Sequence, residues 1–227
     1  GERHAQPVLR NQKAARAAGV PIGGYHWAHP EVNADPKVEA DNFLGRLKFA
    51  PGDVRPALDF EEPDAQHLRA SVLERWALGW LKYVEKQLGV RPVLYVNPNW
   101  LANVLQGAPR IRQAQVDIWL ADYSVNDGTR HKPNASASPF SIVAHQYTSK
   151  GKVPGWRKRI DRNFAPDLTA LLHQPPVAVA KSRPPWIAVI AGETVKGKLT
   201  DAEFIAAIRD GLEAGGEVTL RPRKPGE

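Results

Sequence analysis

Apolar positions along the chain alternate between helical and strand-like spacing. Between Ala5 and Ala18 the apolar residues Leu9, Ala14, Ala17 and Ala18 share one side of a short helix that Gly19 closes. Val20 to Trp27 then reads as a strand. Asn33 to Phe49 is helical, with Pro36 in its first turn and Val38, Phe43, Leu44 and Leu47 at helical spacing. Arg55 to Glu61 is extended, and Asp64 to Leu88 is the longest helix. Its broad apolar face carries Leu68, Val72, Leu73, Trp76, Trp80, Leu81, Val84 and Leu88, and Gly89 ends it. Pro92 to Asn97 is extended, Pro98 to Leu105 helical, Val116 to Ala121 extended and Asp122 to Pro139 a polar loop. Ser141 to Thr148 and Ile160 to Phe164 supply two further strands.

This alternation predicts an α/β fold built on a parallel sheet. A length of 227 residues favours a TIM-like β/α barrel, with six of its eight strands recognised. A closed barrel gives every strand two neighbours, so two strands are expected upstream of Gly1. The absence of methionine and of a basic-then-apolar signal segment points to residue 1 as a cut or processing point.

The barrel domain is expected over residues 1–172, followed by a Pro-rich linker over 173–186 and a C-terminal tail over 187–227. Within the tail, Thr200 and Glu203 form a capping box, and Phe204, Ile205, Ile208 and Leu212 form one stripe. One amphipathic helix over 199–215 is therefore expected to dock on a virion protein or a second copy of the chain. The end from Arg221 to Glu227 reads as unstructured, and Trp186 to Ala191 as a strand-like run.

Zero cysteines exclude a disulfide framework, a thiolate metal site and a cysteine nucleophile. No apolar run is long enough to cross a membrane, so no membrane partner is expected. Lys and Arg outnumber Asp and Glu by 31 to 24, and the resulting +7 favours anionic partners such as nucleic acid, acidic lipid or bacterial cell wall. The basic residues are densest at Lys150, Lys152, Arg157, Lys158, Arg159 and Arg162, without a recognisable nucleic-acid motif, so no nucleic-acid partner is expected. His26 and His29 lack a third ligand and are read as ordinary hydrogen-bonding residues; no metal and no cofactor is expected.

The chemistry concentrates at Arg55 to Pro63 (RPALDFEEP), where strand alternation puts Ala57, Asp59 and Glu61 on one face and Leu58 and Phe60 on the other. Two carboxyls two residues apart on a strand sit roughly 6.5–7 Å apart at Cα, close enough for one to raise the other's pKa. One acid can then hold a proton while the other stays charged, as glycoside hydrolysis requires. Taken alone, Asp-x-Glu fits a solvated or metal-binding pair equally well.

Six stretches together are more specific: Ala17 to Pro30 (AAGVPIGGYHWAHP), Pro56 to Glu61 (PALDFE), Pro92 to Tyr95 (PVLY), Trp119 to Tyr123 (WLADY), Gln146 to Gly155 (QYTSKGKVPG) and Ile160 to Phe164 (IDRNF). In order and spacing they resemble the family 25 glycoside hydrolases, the N-acetylmuramidase lysozymes common among phage lysins. The resemblance implies a β/α barrel that cleaves the β-1,4 bond between N-acetylmuramic acid and N-acetylglucosamine in peptidoglycan. It implies Glu61 as general acid and base, Asp59 as the carboxylate that assists the substrate's own N-acetyl group, and Asp161 as a further active-site acid. Tyr25 and Gln146 match cleft positions. For Tyr95, Trp119, Tyr123 and Tyr147, sugar stacking and core packing both remain open. His145 stands where a tryptophan is usual, and the family's first two strands, with an active-site aspartate, are expected to be missing. The implied setting is a phage-encoded endolysin acting on the bacterial cell wall. The alternative is a catalytically inactive wall-binding module or a structural part of a virion.

Overall fold

A computed structural model describes residues 2–133, 139–152 and 157–173, together with strands at 186–190, 193–194 and 218–222. The chain divides into two compact units, Gly1–Pro175 and Pro176–Glu227.

The first unit is a curled six-stranded sheet, a half-barrel, with its helices packed on it. Its strands are β1 (Tyr25–Trp27), β2 (Ala57–Asp59), β3 (Val93–Val96), β4 (Asp117–Ala121), β5 (Ser141–Gly151) and β6 (Ile160–Phe164), side by side in that order. All six predicted strands are present, with β1 and β6 at the open edges. β1 to β5 are parallel, whereas β6 runs antiparallel to β5. The sequence pattern predicts an all-parallel sheet, and the short stretch between Gly151 and Ile160 explains the departure. A parallel return needs a crossover of a dozen or more residues, usually a helix. Gly151 is fixed by the same hairpin, since a Cβ there would lie 2.4 Å from Arg162 Cγ and 2.7 Å from the Ile160 carbonyl.

The helices are α1 (Glu2–Ala17), α2 (Pro36–Arg46), α3 (Ala70–Leu88) and α4 (Pro109–Gln113). α2 starts later than its pattern suggests: Asp35, not Asn33, is the cap, accepting from the Lys37 amide at 3.0 Å. Asn33 instead donates to Glu39 at 2.8 Å. The long helix expected from Asp64 is two pieces. A 3₁₀ turn over Pro63–His67 is capped by Glu62, and extended backbone at Leu68 and Arg69 separates it from α3. Gly89 ends α3 in the left-handed region at φ 67°, as predicted.

Pro98 to Leu105 is helical as predicted, α-type at Pro98 and Asn99 and π-type over Trp100–Val104. Gln106, Gly107 and Ala108 then all take positive φ, at 51°, 82° and 44°, and turn the chain into α4. Ala108 has no polar side chain to cap that helix. Glu74 does so from α3, buried and accepting the Arg110 and Ile111 amides at 2.7 and 3.2 Å.

The core lies between the sheet and α2, α3 and α4. Phe60 stacks on Trp76 and meets Trp100 edge-on, and Phe43 packs on Trp80. β2 and β3 are buried along their whole length, as parallel strands covered on both faces are.

In the second unit β7 (Trp186–Ile190) pairs antiparallel with both β8 (Glu193–Thr194) and β9 (Val218–Pro222). Arg221 and Pro222, expected to be unstructured, belong to β9. The helix predicted over 199–215 lies outside the described residues.

Candidate active site

Strand register assembles the site. Trp27 pairs with Asp59, Asp59 with Tyr95 and Tyr95 with Trp119, so four side chains from β1 to β4 stand in one row. An irregularity between Ile118 and Trp119 shifts the register with β5, so Trp119 pairs with Ala144, and Gln146, two residues further on the same face, stands beside Asn163 of β6. Glu61, two residues past Asp59, and Asp161, two before Asn163, complete it. Together with Tyr25 and Tyr123 these residues line an open cleft of ≈ 370 Å³ at the C-terminal ends of the parallel strands.

The predicted residues Asp59, Glu61, Asp161, Tyr25, Tyr95, Trp119, Tyr123 and Gln146 all meet in this cleft. Tyr147 does not. Strand alternation turns it to the other face of β5, against His145 and beneath the Arg162 guanidinium. Sequence reasoning misses Trp27, Asn163 and Asn97. The first two lie inside the matched motifs, but Asn97 carries no signal beyond its place just after β3.

Hydrogen bonds hold the walls still. Tyr95 donates to Gln146 Oε1 at 2.8 Å, and Tyr123 donates to the same oxygen. Trp119 Nε1 donates to Asn163 at 2.8 Å, and the Trp119 ring meets Tyr95 edge-on at 5.3 Å. Trp27, 41% exposed, gives its Nε1–H to Glu62 at 2.7 Å, which leaves its indole face open to a ligand. Asn97 Nδ2 donates to Glu61 Oε2 at 2.9 Å and aims that carboxyl. Beneath β1, the buried Glu39 accepts from His26, the His29 amide and Asn33. Burial alone would raise the Glu39 pKa, but these donors outweigh it and hold the carboxylate charged. Both histidines are thus engaged by glutamates, His29 through Glu31 at 2.9 Å.

The two central acids differ in environment. Asp59 is buried, its Oδ1 has no hydrogen-bond partner among the described residues, and burial first, then the neighbouring Glu61 charge, pushes its pKa up to about 7. Asp59 therefore holds a proton through the mildly acidic range, while Glu61 is partly exposed. Burial and the nearby carboxylates also raise the Tyr95 and Tyr123 pKa values, so both phenols remain donors.

The Asp59 shift makes a prediction about stability. Its folded pKa of about 7 lies above the ordinary 3.8, so between those values the folded chain binds more protons than the unfolded one and stability falls as pH rises. An asparagine in its place cannot ionise. Asp59→Asn should leave the melting temperature unchanged near pH 4 and raise it progressively up to pH 7. The gain is about 1–3 kcal/mol once solvent screening in an open cleft is allowed for. Thermal melts across that range check it, and a difference independent of pH would refute it.

Comparison with known proteins bears on family and fold. The family model for glycosyl hydrolases family 25 matches residues 1–156. YegX of Escherichia coli O157:H7, itself uncharacterized, is 30% identical over 164 residues, 72% of this chain and 55% of its own length. The chain thus spans about half the length of the curated relatives it matches. Among solved structures, the Clostridium perfringens spore cortex lytic enzyme SleM superposes with a TM-score of 0.60 at 20% identity, covering 83% of this chain and 69% of its own. The bacterial lysozyme from Streptomyces coelicolor does so with 0.60 at 22%, covering 72% and 76%. At these identities the structures speak to fold, and the family match spans more than half of the sequence. On that match the chain belongs to glycosyl hydrolases family 25.

Proposed function

We propose that the chain is a peptidoglycan hydrolase of the muramidase type, cleaving the β-1,4 bond between N-acetylmuramic acid and N-acetylglucosamine. The observation that carries this reading is the pair Asp59 and Glu61 in one cleft, one buried and protonated up to about pH 7, the other partly exposed and aimed by Asn97. SleM and the Streptomyces enzyme, named as a spore cortex lytic enzyme and a lysozyme, support the substrate class.

In this reading Glu61 protonates the leaving glycosidic oxygen. The substrate's N-acetyl carbonyl oxygen attacks the anomeric carbon as that bond breaks, and Asp59 accepts the amide N–H and balances the positive charge of the resulting ring. An amide donor arriving at Asp59 favours its ionised form and displaces its proton toward the neighbouring carboxyl. That transfer comes first and supplies the proton Glu61 gives to the leaving oxygen; left as an anion by that donation, Glu61 then takes a proton from water as that water opens the ring. Trp27, Tyr25 and Trp119 offer faces for sugar rings, and Asp161 adds negative charge at the far wall.

The test is product analysis. The chain is incubated with purified peptidoglycan, and the soluble fragments are reduced and identified by mass spectrometry. Reduced muramic acid ends are the expected result. Reduced glucosamine ends would overturn the bond assignment. Retention on peptidoglycan without soluble fragments would favour the wall-binding alternative.

A further inference from the structure

Outside the cleft, on the opposite face of β5, three side chains from separate segments converge. Asp122 opens the long loop after β4, His131 lies on its far limb, and the buried His145 projects from β5. One ligand atom from each lies within 4.8 Å of the other two. His145 Nε2 stands 2.8 Å from the Asp122 carbonyl, and His131 Nδ1 stands 2.8 Å from the Lys132 carbonyl. A carbonyl can only accept, so each of those ring nitrogens carries the proton and donates. The other ring nitrogens, Nδ1 of His145 and Nε2 of His131, are not committed to these carbonyls. His131 Nε2 is buried and without a hydrogen-bond partner among the described residues. The two rings meet edge-on at 5.1 Å.

A ring N–H given to a backbone carbonyl, with the other nitrogen free, is how histidines are oriented toward metals. From these features we infer that Asp122, His131 and His145 form a divalent transition-metal site, best suited to zinc by its two nitrogens and one oxygen. Tetrahedral zinc places its ligand atoms about 3.4 Å apart, so side chains already within 4.8 Å need close by no more than about 1.4 Å. The Arg130 guanidinium lies over the Phe164 ring, 3.5 Å from its centroid. Lys132 is exposed to solvent. Bound metal would clamp both limbs of the loop to β5 beside Tyr123, whose hydroxyl holds Gln146 in the cleft. This site does not depend on the hydrolase reading.

The experiment strips the full chain with a chelator, reloads it with zinc or cobalt(II), and measures metal content and the cobalt visible spectrum. About one metal per chain, with the intense bands of a four-coordinate site, is the expected result. Losing a ligand should exceed the 10–100-fold cost of losing an orienting partner, so Asp122→Asn and His131→Ala should each weaken binding by more than about 100-fold. Both positions are at least partly exposed, and circular dichroism checks that the variants remain folded. His29→Ala, in the separate His29, Glu31 and Glu62 group, should bind as the parent does. No binding at micromolar zinc, or binding unchanged in His131→Ala, would overturn the site.

Discussion

Glu61→Gln should release reducing ends from peptidoglycan about 10² to 10⁴ times more slowly than the parent chain, the range that a positioned general acid supplies. Glutamine keeps the shape and still meets the Asn97 side chain, but it has no proton to give the leaving oxygen. Binding to insoluble peptidoglycan should therefore persist while turnover fails. Asp59→Asn should also lose turnover, because a neutral amide cannot balance charge on the sugar ring; it should nonetheless be the more stable chain above neutral pH. These two outcomes separate chemistry from folding: one carboxyl is lost without benefit, while the other is held in place at a cost to stability. Asn97→Ala tests the aim of Glu61 rather than its identity. It should lower kcat and leave KM close to that of the parent, since the contact that aims Glu61 is lost. Equal release of reducing ends by the parent, Glu61→Gln and Asp59→Asn would sink the enzymatic assignment outright.

Much of this site could be read from sequence because strand alternation and register are nearly arithmetic. Asp59 and Glu61 had to share a face, and aromatic residues at the ends of neighbouring strands had to share their row. Tyr147 shows the same rule applied too loosely. It follows Gln146 in a matched motif, but adjacent strand residues point to opposite faces, so only one of the two can reach the cleft. What could not be read was set by contacts between distant segments. The turn before α4 depends on three consecutive residues at positive φ, of which only Gly107 announces itself. The cap that steadies it comes from Glu74, a charged residue within an apolar helix face that looks like an interruption of the pattern. The group formed by Asp122, His131 and His145 has no metal-ligand spacing in sequence, because the loop after β4 closes back on β5. The direction of β6 was legible in principle, since the link from β5 is too short for a parallel crossover.

The far end of the sheet carries the largest expected stability effect. Arg55 stands just before β2, at the opposite end of the strand from the cleft, and is buried. Its Nε donates to the Arg91 carbonyl at 2.6 Å, its Nη1 to the Ala170 carbonyl at 2.8 Å and its Nη2 to Asp117 at 2.6 Å. One guanidinium thereby joins β2 to the segment before β3, the start of β4 and the last turn of the unit. Asp117 is otherwise bonded by Ser141 at 3.1 Å. Removing the arginine leaves Asp117 Oδ2 and three carbonyls, of Arg91, Pro92 and Ala170, without their guanidinium donor, and breaking a buried pair from one side costs about 3–5 kcal/mol. For a unit of this size that corresponds to a fall in melting temperature of roughly 6–20 °C. Arg55→Met should show it in calorimetry. Arg55→Lys should recover only part of the loss, because an ammonium on its single nitrogen cannot span the four acceptors that the planar fork reaches. Arg55→Met combined with Asp117→Leu should recover more than Arg55→Met alone, since the orphaned charge is gone. The cleft lies at the other end of the strands, so the kcat of folded Arg55→Met should match that of the parent. A melting temperature for Arg55→Met within about 2 °C of the parent would show that the network contributes little, and that the sheet is held by its apolar core alone.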